Sequence, residues 1–596
     1  MMDKQTRFTK ALPLIEFAGL DAAQYNVFFC GFLLRFSFAV FFRRCNFAFR
    51  CVHNVNKIST DLRDGTSQPR QNLWLKRGCV GALLVVMIFM GWVRLRLRTM
   101  PLERDEGEFA YVGQLMLQGI PPYKLASNMK LPGTYAAYAA IMAVFGETAA
   151  GIRIGLMLVS FMTAALVFLL GKRLYGPLAG AVAGMTYTFL SFRPAVLGVY
   201  AHATQFVVLA ALAGILLLLR AIESGRTALF FGSGLCFGLA FLMKQPGILF
   251  AVFAGFYWLW QEWRRPFPWR NVAWRGGALF AGLALPYAVT CLIVLRAGVF
   301  SSFWFWTWSY AREYGTITTL ADVRDVLRAY LPWVIRPLVI WEIIALGVAA
   351  PLWTRHARRH WGFVTSFCLF SCLAVCPGFY FRPHYYVLLL PAAALCAGVA
   401  VSVAHESLRE RRLGTFMAWL PVLYFAVAFG ISLRAEYNKF WHLDPVFLVR
   451  KMQPGEAFPE AVAVGGYLKT HSSPQDTIAI FGSEPEICFY SARHCATSYL
   501  YSFPLTEKQK FARQMQQDMM RQIQDARPEF VVYVDDIHSW GANDVLESHR
   551  EFLETAWDYS HRGYQLAEQV EIAGEPAHLW GEHASLYVFQ RTENRD

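Results

Sequence analysis

GIRIGLMLVSFMTAALVFLLGKRLYGPLAGAVAGMTYTFLSFRP, residues 151–194, holds two apolar blocks separated by a turn that carries Lys172, Arg173, Gly176 and Pro177. Each block, 151–170 and 178–193, is long enough as a helix to cross most or all of a hydrocarbon core of about 30 Å. Similar blocks stand at 78–93, 203–219, 228–243, 247–260, 276–295, 333–352, 362–377, 384–403 and 415–433. The pattern predicts a polytopic α-helical membrane protein with about eleven transmembrane helices. Composition agrees: of 596 residues, 56% are apolar and only 16% charged, against about 25% charged in an ordinary soluble domain. The net charge of +14 does not point to nucleic acid, because its arginines gather in short loops between apolar blocks, where they fix membrane orientation.

One set of short loops holds Lys172 and Arg173; Arg220 and Arg226; Arg264, Arg265, Arg270 and Arg275; Arg355, Arg358 and Arg359; and Arg409, Arg411 and Arg412. The alternate loops hold only Arg193, Lys244 and Arg382. The first set is therefore expected in the cytosol. The polar loop after the first block and the tail beyond about Arg434 then face outward. Three regions follow: a poorly defined extension over 1–75 with an interrupted apolar run at 28–42, a transmembrane region over 76–434 whose outward loop covers 94–150, and a small α/β domain over 435–596.

In that tail, 477–481, 487–490, 530–534 and 585–590 read as short strands. Residues 506–527 read as a helix opened by a Thr506–Gln509 capping box. Cys488 and Cys495 lie in the tail, paired or free; most of the twelve cysteines sit in or beside apolar blocks and read as small hydrophobes. Asp535 and Asp536 follow a strand and read as turn residues.

The outward loop, LERDEGEFAYVGQLMLQGIPPYKLASNMKLPGTYAAYAAIMAVFG over 102–146, carries the chemistry. Asp105 and Glu106 open a helix-like segment whose apolar positions Phe109, Val112 and Leu115 recur at helical spacing, with Gly119 as its stop. An amphipathic helix of this kind lies in the membrane interface, and a second amphipathic piece follows over 132–145. Asp105 reads either as an Asp-x-x-Glu cap with Glu108 or as a catalytic base, and the two roles are compatible. Lys124, Lys130, Lys244 and Arg382 are cations near the outer face. Each alone reads as a snorkelling side chain; together they could bind a phosphate. His202, near a span end, reads as a hydrogen-bonded structural histidine rather than a proton relay. The chain has no Asp-x-Asp motif, Walker loop, GxGxxG, HExxH or GxSxG, and its span centres carry almost no ionisable residues.

Asp105–Glu106 after the first block, Lys130-Leu131-Pro132 with Tyr135 and Tyr138, the segment from Gly151 to Gly176, Lys244-Gln245-Pro246 and Arg382-Pro383-His384-Tyr385 together resemble the GT-C glycosyltransferases that use polyprenyl-phosphate sugars. Among these, the resemblance is to glycosyltransferase family 39, the protein O-mannosyltransferase and lipid A aminoarabinose transferase group. It covers about Leu75 to Arg434. It implies an inverting transferase in a bacterial cytoplasmic membrane that moves a sugar from an isoprenoid phosphate of the undecaprenyl or dolichyl type to a hydroxyl of a lipid, glycan or protein on the periplasmic face. Asp105 matches the family's base, with Glu106 beside it. Lys130, Lys244 and Arg382 are then expected at the phosphate, and His384, Tyr385 and Tyr123 at the lipid phosphate or sugar. No cofactor is firmly implied. In the aminoarabinose transferases an acidic residue before the loop lysine helps hold a metal; here Met129 stands there, which counts against a divalent metal at that place and against that particular activity. The competing readings are a transporter or flippase for a lipid-linked glycan, which predicts ionisable residues along a central path and often repeated halves, and a non-catalytic membrane scaffold.

Overall fold

A computed structural model describes residues 69–264, 269–411, 414–541, 549–574, 578–580 and 583–592. The apolar run at 28–42, and Arg265 and Arg412 among the loop cations, lie outside the described residues.

The apolar blocks lie wholly or mostly on helices. These are α1 (Pro69–Arg96), α2 (Arg104–Leu117), α3 (Gly133–Phe145), α4 (Ala149–Leu190), α5 (Ala203–Ser224), α6 (Thr227–Met243), α7 (Ile248–Trp263), α8 (Trp269–Arg296), α9 (Val323–Val334), α10 (Leu338–Trp353), α11 (Trp361–Val375), α12 (Leu390–Glu410) and α13 (Thr415–Ala435). Among the described residues, six helices are long and apolar enough to cross a membrane, or seven if the bent pair α9–α10 counts as one span. The block expected at 384–403 begins later: 383–388 is a 3-10 turn, and α12 starts at Leu390.

Residues 149–190 are a tight hairpin rather than one rod. At Gly176 the backbone takes φ 89°, which glycine adopts without Cβ strain, and Pro177 restarts the helix at a position where its missing N–H costs nothing. The two arms meet so closely that a Cβ on Gly171 would lie 2.9 Å from the Gly180 Cα. On the outside of the bundle, Val85, Ile88, Trp274, Phe280, Ile293, Phe416 and Val427 are exposed. On a water-soluble surface so much apolar area would be a liability; facing lipid it is not.

The tail carries α14 (Phe458–His471), α15 (Glu486–Ser491), α16 (Ala512–Ala526) and α17 (Arg550–His561) around a five-stranded sheet. The strands are β1 (Thr477–Phe481), β2 (His494–Cys495), β3 (Phe530–Asp535), β4 (Tyr564–Glu571) and β5 (Ser585–Arg591), in the order β2-β1-β3-β5-β4. The first three are parallel, and β5 runs antiparallel to both β3 and β4. Three expectations change here. Residues 487–490 form α15, not a strand. The helix expected from Thr506 begins at Ala512 without a side-chain cap, and the Thr506 hydroxyl donates instead to the Trp540 carbonyl. Strand β4, half exposed and poorly alternating, was not foreseen. Cys488, within α15, is disulfide-bonded to Cys495 on β2.

The described residues from Pro69 onward pack as one unit. Helix α2 does not lie free in an interface: it is buried between α3 and α15. The Leu102 N–H donates to the Tyr490 hydroxyl, the Cys495 N–H to the Tyr111 hydroxyl, and the Ser127 N–H to the Ser498 carbonyl. Helix α3 is apolar throughout most of its length rather than amphipathic.

Candidate active site

The start of α2 sets the geometry. Its N-cap is Glu103, not Asp105. The Glu103 carboxylate accepts from the Glu106 N–H at 3.1 Å, and Glu106 Oε2 accepts from the Glu103 N–H at 3.3 Å. This reciprocal box satisfies the first turn and leaves the Asp105 side chain free of capping. Asp105 keeps 24% of its side chain exposed, whereas its neighbour Glu106 is fully buried. Glu106 pairs with Arg153 and accepts from the Ala201 N–H, so it joins α2 to α4 and to the turn before α5.

Lys130 reaches Asp105 from the loop that precedes α3. Its ammonium donates to Asp105 Oδ1 at 2.8 Å and also to Glu108 Oε2. Glu108, fully buried, also accepts from Tyr501 at 2.7 Å, from Asn128 at 3.0 Å and from Tyr135. Tyr501 comes from the tail, which thereby forms one wall of the site. Tyr123, with φ 68°, is buried and donates to the Lys130 carbonyl at 2.7 Å. It holds the loop rather than reaching into the open side. Burial alone would raise the Asp105 carboxyl; the Lys130 ammonium outweighs it and holds the acid well below its usual range.

The remaining candidates converge from three other turns. The loop before α3 is fastened to the end of α6: Gln245 donates to the Met129 carbonyl at 2.9 Å and Thr134 to the Met243 carbonyl at 2.8 Å. Met129 contributes backbone there, and its side chain packs with apolar neighbours. Lys244 follows α6 with its Nζ 3.9 Å from the centre of the Tyr385 ring. Burial, set against the field of Asp105, lowers its pKa to about 7. Arg382 stands exposed beside Tyr380, 5.3 Å from its ring centre. Neither Lys244 nor Arg382 has a carboxylate within ion-pair distance among the described residues.

His202 and His384 stack with ring centres 4.0 Å apart and planes 12° apart. Both are buried. Neither nitrogen of His202, nor Nδ1 of His384, has a hydrogen-bond partner among the described residues. The expectation of a hydrogen-bonded structural His202 therefore changes; burial lowers its pKa to about 3, leaving it neutral.

Asp105, Lys130, Lys244, Arg382, His384 and Tyr385 thus lie in one cluster, with Glu106 and Tyr123 behind it. Glu108, Tyr501, Glu103 and Arg153 were not among the sequence candidates for this chemistry. Only the position of Glu108, one turn from Asp105 on a helix, was readable; Tyr501 lies 371 residues from Lys130 and left no local signal.

Residues 130–292 match a family model described as dolichyl-phosphate-mannose-protein mannosyltransferase. The fold is similar to that of ArnT from Cupriavidus metallidurans in the apo state, at 14% identity over 86% of this chain and 98% of that one, with a TM-score of 0.52. The apo oligosaccharyltransferase of Archaeoglobus fulgidus matches at 12% identity over 84% of this chain and 74% of that one, with a TM-score of 0.46. No curated protein matches by sequence.

Proposed function

We propose that this chain, a GT-C membrane glycosyltransferase of the protein mannosyltransferase and aminoarabinose transferase type, moves a sugar from an isoprenoid phosphate to a hydroxyl acceptor on the outer face of a bacterial cytoplasmic membrane. The observation that carries this reading is a partly open Asp105 carboxylate beside two cations, Lys244 and Arg382, that have no carboxylate partner among the described residues.

The acceptor oxygen attacks the anomeric carbon as the bond to the phosphate oxygen breaks, with inversion. Asp105 accepts the acceptor proton. Its low basicity suits a step in which the C–O bond to the leaving group is well broken before the proton moves. The leaving phosphate gains charge, which Lys244 and Arg382 offset. Lys130 is neutralised by Asp105 and Glu108, so it orients the base rather than binding the phosphate. His384 and Tyr385 line the donor side. Glu106 is a positioning residue acting through Arg153.

The test is transfer by the purified, lipid-reconstituted protein from a panel of radiolabelled undecaprenyl-phosphate sugars to a membrane extract. Wild type should label an acceptor and Asp105→Asn should not. Equal labelling by both would sink the assignment of the base. No labelling from any donor by well-folded protein would sink the transferase reading with isoprenoid phosphates.

A further inference from the structure

We propose that Asp105, His202 and His384 form a binding site for one divalent transition-metal ion of the zinc type. One ligand atom from each lies within 4.8 Å of the other two. Two imidazoles and one carboxylate suit zinc, cobalt or iron(II); magnesium and calcium prefer all-oxygen shells. Three protein ligands with an open position are the pattern of catalytic rather than structural zinc.

The unpartnered nitrogens argue for a ligand independently of the distances. Buried polar atoms in folded proteins are nearly always hydrogen-bonded, yet both nitrogens of His202 and Nδ1 of His384 are buried with no hydrogen-bond partner among the described residues. The stacked geometry keeps one nitrogen of each ring within reach of the Asp105 carboxylate. Asp105 Oδ1 faces Lys130 at 2.8 Å while Oδ2 faces His202 Nδ1 at 3.8 Å, so one oxygen is turned to each side. Glu103 Oε1, 3.5 Å from the same His202 nitrogen, adds an acid behind the ligands. Zinc–ligand bonds of about 2.0 Å put tetrahedral ligand atoms about 3.3 Å apart, so the three groups would close inward by up to about 1.5 Å. The site differs from one built on the residue before the loop lysine, because Met129 offers no ligand there.

The inference rests on the transferase reading only for what fills the open position: an oxygen of the donor phosphate, between the ion and Lys244. The metal site itself stands on its ligands, and its test does not need turnover.

Full-length protein, purified without a histidine tag and stripped with chelator, would be titrated with Co2+ and with Zn2+. One Co2+ per chain with visible d–d absorption is expected, together with a zinc X-ray absorption spectrum that fits two imidazoles and oxygen. His202→Gln with His384→Gln should weaken the metal at least 100-fold, while the exposed control His471→Gln should not. Cobalt without visible bands, a zinc shell lacking imidazole, or unchanged affinity in the double variant would overturn the site. If the double variant fails to fold, the wild-type absorption spectrum still decides. Metal bound by two imidazoles in a protein that transfers nothing would sink the transferase reading and leave the site standing. Full transfer by stripped protein that takes up no cobalt would do the reverse.

Discussion

Asp105 and Glu106 are adjacent in sequence and face opposite ways, and that separation decides what each substitution should do. Asp105→Asn keeps the side-chain shape and one acceptor for Lys130. It should lower transfer by about 10²–10⁴-fold, the usual reach of a general base, with the melting temperature nearly unchanged. Glu106→Gln leaves the buried Arg153 guanidinium uncompensated, which costs about 3–5 kcal/mol, so it should show first as a lowered melting temperature. Loss of transfer in both without any change in stability would contradict this division of roles. Lys244 carries a pH signature. Its pKa in the free protein is depressed to about 7 by burial, and only the protonated form attracts phosphate. kcat/KM for the donor should therefore be highest below pH 7 and fall about tenfold per pH unit above it. Lys244→Arg, charged throughout, should flatten that fall; a profile unchanged by the substitution would place the titrating group elsewhere. At this scale the sequence placed Asp105 and Lys130 in one loop but did not show the ion pair that turns Lys130 toward Asp105 and Glu108. It was silent where the role depends on convergence: Glu108 takes its partners from positions 128, 130, 135 and 501.

Helix α2 shows how an element read well in outline is misread at its end. The spacing of Phe109, Val112 and Leu115 located the helix, but its cap, read as Asp105 with Glu108, is Glu103 with Glu106, two residues earlier. Helix α15 was misread because Ile487, Cys488, Phe489 and Tyr490 have strand-type propensity, and tertiary context overrides that: α15 is held by the disulfide and packs on α2. Gly107 is where those two helices touch. A Cβ there would lie 2.6 Å from Glu486 Cβ and 2.7 Å from its backbone nitrogen, and backbone cannot rotate away. Gly107→Ala should cost about 1–3 kcal/mol as overpacking and also reduce transfer, because α2 carries Asp105. Thermal unfolding and the transfer assay check both; a variant as stable and active as wild type would mean the α2–α15 contact does not position the site. Reducing the Cys488–Cys495 bridge should act at the same seam. A short closed loop is worth about 2–3 kcal/mol of constraint on the unfolded chain, and its loss should be read as faster proteolysis near α15.

Across the whole molecule, the two classes of loop separate by position as well as by charge. Arg173 pairs with Glu223, Tyr175 donates to the Ala357 carbonyl, and Thr354 lies 3.5 Å from Ser407, so the arginine-rich loops gather at one end of the bundle. The turns holding Lys130, His202, Lys244 and His384 gather at the other, together with the tail that supplies Tyr501. The apolar blocks and arginine counts made this sidedness legible in the sequence, since both depend on the membrane rather than on distant contacts. The sheet order of the tail was not legible, because its crossovers obey packing that no local pattern records. On the proposed orientation the positive-inside rule assigns the arginine-rich end to the cytosol, and the Cys488–Cys495 bridge would fit an oxidising compartment for the tail. This gives a prediction independent of catalysis. Ser224 and Ser473 are both exposed, the first at the arginine-rich end and the second in the tail. In spheroplasts, a membrane-impermeant maleimide should label Ser473→Cys at once and Ser224→Cys only after lysis, above the background of the native cysteines. The reverse order would put Asp105 and its neighbours on the cytosolic face and would remove the basis for a periplasmic acceptor.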